Sequence, residues 1–226
     1  MQQTPAHEQH NAELLALIPT TVQRIVEVGC SSGALAREYK KLNPGCRYVG
    51  VEIASEYADL ARHHCDEVEV LDLENADDAT VAEFDADCWV FGDVLEHLRD
   101  PWSLLRKIRS TIPTGGYVVA CIPNAQHWSV QARLSCGLLR YEDMGLLDRT
   151  HLRWFTRITM LEMFEQTGFT VADCHALVIN EPPLREMILP AVGMMARCLG
   201  ADVEQAVNDS KVFQYVVRAV PAVPAA

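Results

Sequence analysis

The chain has 226 residues, 49% hydrophobic and 22% charged, an ordinary globular composition that excludes a disordered, collagen-like or disulfide-scaffold protein. Lys and Arg number 19 against 31 Asp and Glu, a formal charge of −12. That balance argues against sequence-blind nucleic-acid binding, which rests on cations neutralising phosphates.

A chain of this length buries roughly 70% of its unfolded surface, so its core needs neither metal nor disulfide. The eight cysteines, at 30, 46, 65, 88, 121, 136, 174 and 198, form no CxxC pair. They read as buried, reduced thiols of a cytoplasmic protein. The start, Met1-Gln2-Gln3-Thr4-Pro5, has no basic patch and no apolar core of a secretory signal. No uncharged apolar run reaches the roughly 18 residues of a membrane span. The expectation is a soluble, cytoplasmic protein without a transmembrane segment.

In chain order, Arg24–Val28 predicts a strand ending at Gly29, and Ala34–Leu42 a helix. Arg47–Val51 predicts a second strand, after which Ser55 caps a helix to His64. Val68–Leu71 and Cys88–Phe91 predict two more strands. Pro101, suited to a first helical position, opens a helix to Ser110. Thr114-Gly115-Gly116 then turns the chain into a strand over Tyr117–Ile122. Ile158–Thr167 predicts a helix stopped at Gly168, Phe169–Val178 a strand, and Lys211–Val220 a closing strand. Such alternation predicts a doubly wound α/β fold with a seven-stranded, mostly parallel sheet.

The expected organisation is one domain over 1–220 with a tail at 221–226. Residues 123–157 would form a substrate cover, a long segment without a clear period, and 181–210 a C-terminal helical insertion. Leu184, Met187, Ile188, Ala191, Val192, Met195 and Leu199 recur at helical spacing. Core packing is the expectation for that stripe, with a Met-rich cover or a homodimer face as the alternative.

The sharpest local signal is Ile25-Val26-Glu27-Val28-Gly29-Cys30-Ser31-Ser32-Gly33. A strand enters a small-residue turn and then a helix, whose N-terminus offers unpaired N–H groups to a ligand. Glu52 lies 19 positions after Gly33, at the end of the second strand, close to the spacing at which an acid binds ribose hydroxyls. A nicotinamide oxidoreductase would place an acid there too, but its G-x-G-x-x-G is absent: the turn reads Gly29-x-Ser31-x-Gly33. Glu27 beside the turn suits a ligand with an ammonium group and no phosphate.

Four motifs resemble those of class I S-adenosylmethionine-dependent methyltransferases. They are Glu27–Gly33, Val49-Gly50-Val51-Glu52, Leu71-Asp72-Leu73, and the run from Phe91-Gly92-Asp93 through Glu96-His97 to Pro101. They occur in the family's order, with Ser31 where glycine is commonest. The resemblance implies S-adenosyl-L-methionine as cofactor. It implies that Glu27, Gly29, Cys30, Ser31, Ser32 and Gly33 hold the methionine end and that Glu52 takes the ribose hydroxyls. Ile53 would lie against the adenine and Asp72 and Leu73 at its edge, while Gly92 and Asp93 would pass close to the sulfonium.

Asp93, Glu96 and His97 would share one face of a helical turn, and the loops carrying His127 and His151 lead from the same sheet edge. Three readings stay open for them. The histidines satisfy loop backbone; or His151, His127 or His97 is a general base for a hydroxyl; or Asp93, Glu96, His97 and His151 hold a divalent metal. The set resembles the Glu-x-x-Glu-His run of small-RNA 3′-end and ubiquinone-pathway methyltransferases, with Asp93 in place of the first Glu. Gly145-Leu146-Leu147-Asp148-Arg149-Thr150-His151-Leu152-Arg153-Trp154-Phe155-Thr156 resembles more closely methyltransferases found with bacterial polysaccharide and glycosyltransferase genes.

From Ala125 to Met160 there are five Arg (133, 140, 149, 153, 157) and three acids (142, 143, 148). They read either as local ion pairs or as a cover for an anionic acceptor such as a phosphate-linked sugar. The resulting expectation is O-methylation of a sugar or other small-molecule hydroxyl. Its alternatives are a metal-using small-molecule or RNA methyltransferase and an NAD-type oxidoreductase.

Overall fold

The computed structural model describes residues 8–179 and 183–223. Residues 181 and 182 of the expected insertion, and 224–226 of the expected tail, lie outside them. The chain opens with α1 (Ala12–Leu17), started by Asn11, whose side chain accepts from the N–H of Glu13 and Leu14. Then follow β1 (Arg24–Val28), α2 (Ala34–Leu42), β2 (Arg47–Glu52), α3 (Ser55–Ala61), β3 (Glu67–Val70), α4 (Asp78–Glu83) and β4 (Cys88–Gly92). The rest is α5 (Pro101–Thr111), β5 (Tyr117–Pro123), α6 (Trp128–Ser135), α7 (Arg157–Gln166), β6 (Phe169–Leu177), α8 (Leu184–Cys198), α9 (Val203–Asp209) and β7 (Gln214–Pro221).

The strands form one seven-stranded sheet in the order β3-β2-β1-β4-β5-β7-β6. β1 to β5 are parallel, whereas β7 runs antiparallel between β5 and β6. The central strands are apolar on both faces because helices cover both. On one face Val26, Val49, Trp89, Phe91, Val118 and Tyr215 meet Leu104, Ile108, Met160 and Phe164. On the other, Ile25, Tyr48, Val90, Val119 and Val216 meet Leu14, Leu17, Leu35 and Tyr39. Strand order reverses beside β1, so the C-terminal ends of β1 and β4 border a crevice.

Three expectations need correction. The cover is not wholly irregular, since α6 lies within it. The expected tail begins too early: β7 runs through Pro221, and the Ala222 N–H donates to the Gly168 carbonyl at 2.9 Å. Most of the stripe on α8 is not the buried face, although its Val192 is buried. Leu184, Met187, Met195 and Leu199 are exposed, whereas Leu189, Val192, Gly193 and Ala196 are buried. The physical reason is α9: a Cβ on Gly193 would stand 3.4 Å from both Val203 and Val207, so α8 turns its small residues toward that helix. Nor are all thiols buried, because Cys136, Cys174 and Cys198 are exposed; the eight cysteines are free.

Candidate active site

β1 delivers Glu27 to the crevice and ends in a turn with three left-handed residues: Gly29 (φ 69°), Ser31 (φ 49°) and Gly33 (φ 76°), the last being the N-cap of α2. Only glycine takes such angles without strain. The turn is held from β2. The Gly29 N–H donates to the Val51 carbonyl at 2.7 Å, and the Ser31 N–H to Glu52 Oε2 at 2.9 Å. Glu52 Oε1 accepts from the N–H groups of Ile53 and Ala54 at 2.8 and 3.0 Å. Glu52 is therefore fixed by backbone at the tip of β2.

Glu27 is 6% exposed. Its Oε2 accepts from the Tyr48 hydroxyl at 3.0 Å. Burial pushes its carboxyl up to about 8, against the lowering effect of the Tyr48 hydrogen bond and with a smaller upward push from Glu52. Ile53 is 52% exposed beside Glu52, so it is not a core residue.

The neighbouring positions divide. Cys30 and Ser32 are buried, and Cys30 Sγ lies 2.6 Å from where a Cβ on Gly50 would stand. Asp72 caps a 3-10 turn over Leu73–Asn75, accepting from the Glu74 N–H at 3.2 Å and the Asn75 amide at 2.7 Å. Leu73 is part of the core. Gly92 ends β4, where a Cβ would come 3.1 Å from Leu14 Cδ2.

Asp93, Glu96 and His97 do not share the face of an α-helical turn. Asp93 has φ 57°, and Leu95–His97 form a 3-10 turn. Asp93 Oδ1 accepts from the Gln214 amide of β7, and burial raises its carboxyl to about 6. The side chains brought together are Glu96, His97 and His151, with one ligand atom from each all within 4.8 Å of one another.

The return segment is tied to the turn after β4: Leu152 and Arg153 N–H groups donate to the Glu96 carbonyl at 2.8 and 2.9 Å. The imidazoles of His97 and His151 meet edge-on, 4.8 Å between centroids. Thr150 Oγ1 donates to Asp148 at 2.6 Å and lies 3.0 Å from His97 Nδ1. The hydroxyl proton being committed, the network assigns the His97 proton to Nδ1 and leaves Nε2 with its lone pair. Burial lowers the pKa of both histidines, with His97 further lowering that of His151.

Glu96 is 1% exposed, and neither of its carboxylate oxygens has a hydrogen-bond partner. Burial, and then Asp93, push its carboxyl well up. His127 stands apart from the group. It is 1% exposed at the N-cap of α6, with Nδ1 2.8 Å from Ser129 Oγ and rings of Trp128 and Phe213 each 5.6 Å away.

The sequence reading missed Tyr48 and Gln214. The parallel β1–β2 register carries the signal for Tyr48, because it puts Ile25 beside Tyr48 and Glu27 on the same face. Gln214 lies 121 positions from Asp93, and no local pattern marks it.

Residues 5–173 match the family described as Methyltransferase domain. The chain belongs to that family and is an S-adenosylmethionine-dependent methyltransferase, which sets aside the nicotinamide reading. It is 24% identical over 173 residues to a ubiquinone biosynthesis O-methyltransferase of Cereibacter sphaeroides, covering 74% of this chain and 68% of that one. It is 29% identical over 107 residues to an Albidiferax ferrireducens protein of the same name, covering 45% of this chain and 42% of that one. A crystal structure of an Archaeoglobus fulgidus SAM-dependent methyltransferase shares the fold, with a TM-score of 0.62 at 18% identity over 92% of this chain and 91% of that one.

The crevice fits the cofactor's chemistry. The turn from Gly29 to Gly33 contains no Lys or Arg, and two carboxyl groups flank it, one buried and the other held by backbone N–H groups. Such a site suits a cationic amino-acid nucleoside better than a dinucleotide phosphate. Among the described residues no helix is long and apolar enough to cross a membrane.

Proposed function

We propose that the enzyme methylates a hydroxyl oxygen of a small molecule, a sugar or another natural product. The observation that carries this reading is the group of Glu96, His97 and His151 at the end of β4. An oxygen nucleophile sheds a proton as it attacks, and two imidazoles kept neutral by burial can take it. When bound, S-adenosylmethionine supplies a methyl on a cationic sulfur. Glu27 and the Gly29–Gly33 turn would hold its amino-acid end, Glu52 its ribose and Ile53 its adenine. His97 Nε2 or His151 would receive the acceptor's proton, and the Trp128–Phe155 segment would exclude water.

The names of the two curated relatives support an oxygen acceptor. Arg133, Arg149 and Arg157 are ion-paired with Glu142, Asp143 and Asp209. Arg153 donates to the Arg99 carbonyl and stands over the Trp102 ring, so a phosphate-linked sugar would be met by Arg140.

A second reading is favoured by the bare Glu96 oxygens: with the two histidines they would bind a divalent cation that acidifies the hydroxyl. The test incubates candidate phenols and sugars with labelled S-adenosylmethionine and locates the added methyl by mass spectrometry. O-methylation is the expected result, whereas methyl on nitrogen or carbon would overturn it. Activity unchanged after exhaustive EDTA dialysis supports the base; loss restored by Mg2+, Mn2+ or Zn2+ supports the cation.

A further inference from the structure

Tyr48 is wholly buried in the sheet's second core. A buried phenol hydroxyl requires a partner, and here it is a carboxyl that faces the crevice, Glu27 Oε2 at 3.0 Å. The register explains the contact. Ile25 stands beside Tyr48 and Glu27 beside Gly50, so Tyr48 reaches diagonally to the acid on the same face of the sheet. Gly50, opposite Glu27, has no side chain to offer, and a Cβ there would fall 2.6 Å from Cys30 Sγ. The phenol is thus the side chain that β2 extends to this carboxyl from below.

We propose that Tyr48 is a positioning residue of the cofactor site, whose hydroxyl aims the Glu27 carboxyl at the cofactor's ammonium group and couples cofactor binding to release of one proton. The inference rests on the reading that Glu27 contacts that ammonium.

The coupling follows from Glu27 being neutral when the site is free and ionised when it faces a cation. The carboxyl O–H breaks, its proton goes to solvent, and the carboxylate forms an ion pair with the unchanged ammonium. Burial supports the first half by holding Glu27 at about 8. The titratable groups around it are Tyr48 and Glu52 from β2, Cys30 from the turn with Cys65 against it, and Cys88 of β4 behind Tyr48. Burial pushes Tyr48 and Cys88 upward, and contact with Cys65 and burial do the same for Cys30. Tyr48, Cys88 and Cys30 therefore stay neutral where Glu27 titrates. The Tyr48 hydrogen bond is the main influence favouring the Glu27 carboxylate.

The test is calorimetric titration of the full chain with S-adenosylhomocysteine between about pH 6 and 9, in buffers of differing ionisation enthalpy. Wild type, Tyr48→Phe and Glu27→Gln are compared, with circular dichroism to check folding. Wild type is expected to bind more tightly as pH rises and to release close to one proton near neutrality. Tyr48→Phe is expected to bind about tenfold more weakly at neutral pH, as loss of a hydrogen bond to a charged group would give, and to shift the pH midpoint upward. Glu27→Gln should lose the pH dependence.

A Tyr48→Phe profile with an unmoved midpoint, whether at full or uniformly reduced affinity, overturns the positioning role. Wild-type affinity and proton release in Glu27→Gln overturn the reading of Glu27 instead. Should Tyr48→Phe fail to fold, the wild-type proton count decides: no proton released near neutrality overturns the coupling.

Discussion

The Ser31 N–H donates to the Glu52 carboxylate at 2.9 Å, so the tip of β2 holds the turn that follows β1. Because the same carboxylate also accepts from Ile53 and Ala54, it organises both walls of the crevice. Glu52→Ala leaves these N–H groups without it, each hydrogen bond to a charged group contributing about 1.5–3 kcal/mol. Titration with S-adenosylhomocysteine should show a loss of about tenfold to a hundredfold, 1.4 kcal/mol per factor of ten. The acceptor's KM should change little; an equal loss on both sides would undermine the ribose role.

Ligand occupancy should stabilise the fold. S-adenosylhomocysteine at about 1,000 times its dissociation constant should add about 4 kcal/mol. Thermal unfolding with and without ligand reads this directly, and an unchanged midpoint at saturation would contradict the crevice as a cofactor site.

Gly29 and Gly137 share φ 69°, but a Cβ on Gly29 would meet Val94 Cγ2 at 2.7 Å while one on Gly137 meets nothing within 4 Å. Gly137→Ala should cost only the backbone term, about 1–2 kcal/mol. Gly29→Ala should cost more and also weaken cofactor binding. Urea unfolding of both variants makes the comparison; equal losses would mean that Val94 moves aside freely.

Glu27 gives the ligand-free protein a pH signature. Below its ordinary value of 4.5 the carboxyl is protonated folded or unfolded; between 4.5 and about 8 only the folded chain keeps the proton. Its contribution to stability is therefore lost as pH rises through that window. Glu27→Gln should remove this part of the slope, so wild type and variant should diverge in urea midpoints between about pH 5 and 8. Parallel curves would place the carboxyl in water.

Glu96 carries two buried oxygens with no hydrogen-bond partner, the nearest imidazole nitrogen being His151 Nε2 at 3.9 Å, an arrangement costing about 1–3 kcal/mol in proteins. Glu96→Leu should raise the unfolding midpoint and abolish turnover. Lowered stability would mean that the carboxyl is satisfied in solution by a group that the leucine cannot replace.

The central parallel strands were legible because their apolar runs are buried on both faces, as Tyr117–Ile122 illustrates, whereas edge strand β3 is only partly covered. The short helices were not. α4 and α9 are six and seven residues long, started by Asp77 and Asp202 side chains, and too short for a period to mark them. On α8 the sequence shows large apolar residues, but packing against α9 selects the small ones, Gly193 and Ala196. Within the site the glycines and Glu52 announce themselves through local spacing. The union of Glu96 with His151 requires a return segment whose backbone caps the Glu96 carbonyl, and the left-handed angle at Asp93 that breaks the expected face has no signature in an aspartate. Buried His127 and crevice-edge His151 look alike until tertiary packing separates them.

β7 enters the sheet between β5 and β6, although it is the last strand in the chain. Until residues 214–221 have left the ribosome, β5 and β6 have no common neighbour and Asp93 lacks the amide of Gln214. A nascent chain can thus assemble the β1–β5 half early, before the antiparallel strand closes against it. The Asp93–Gln214 contact waits for β7.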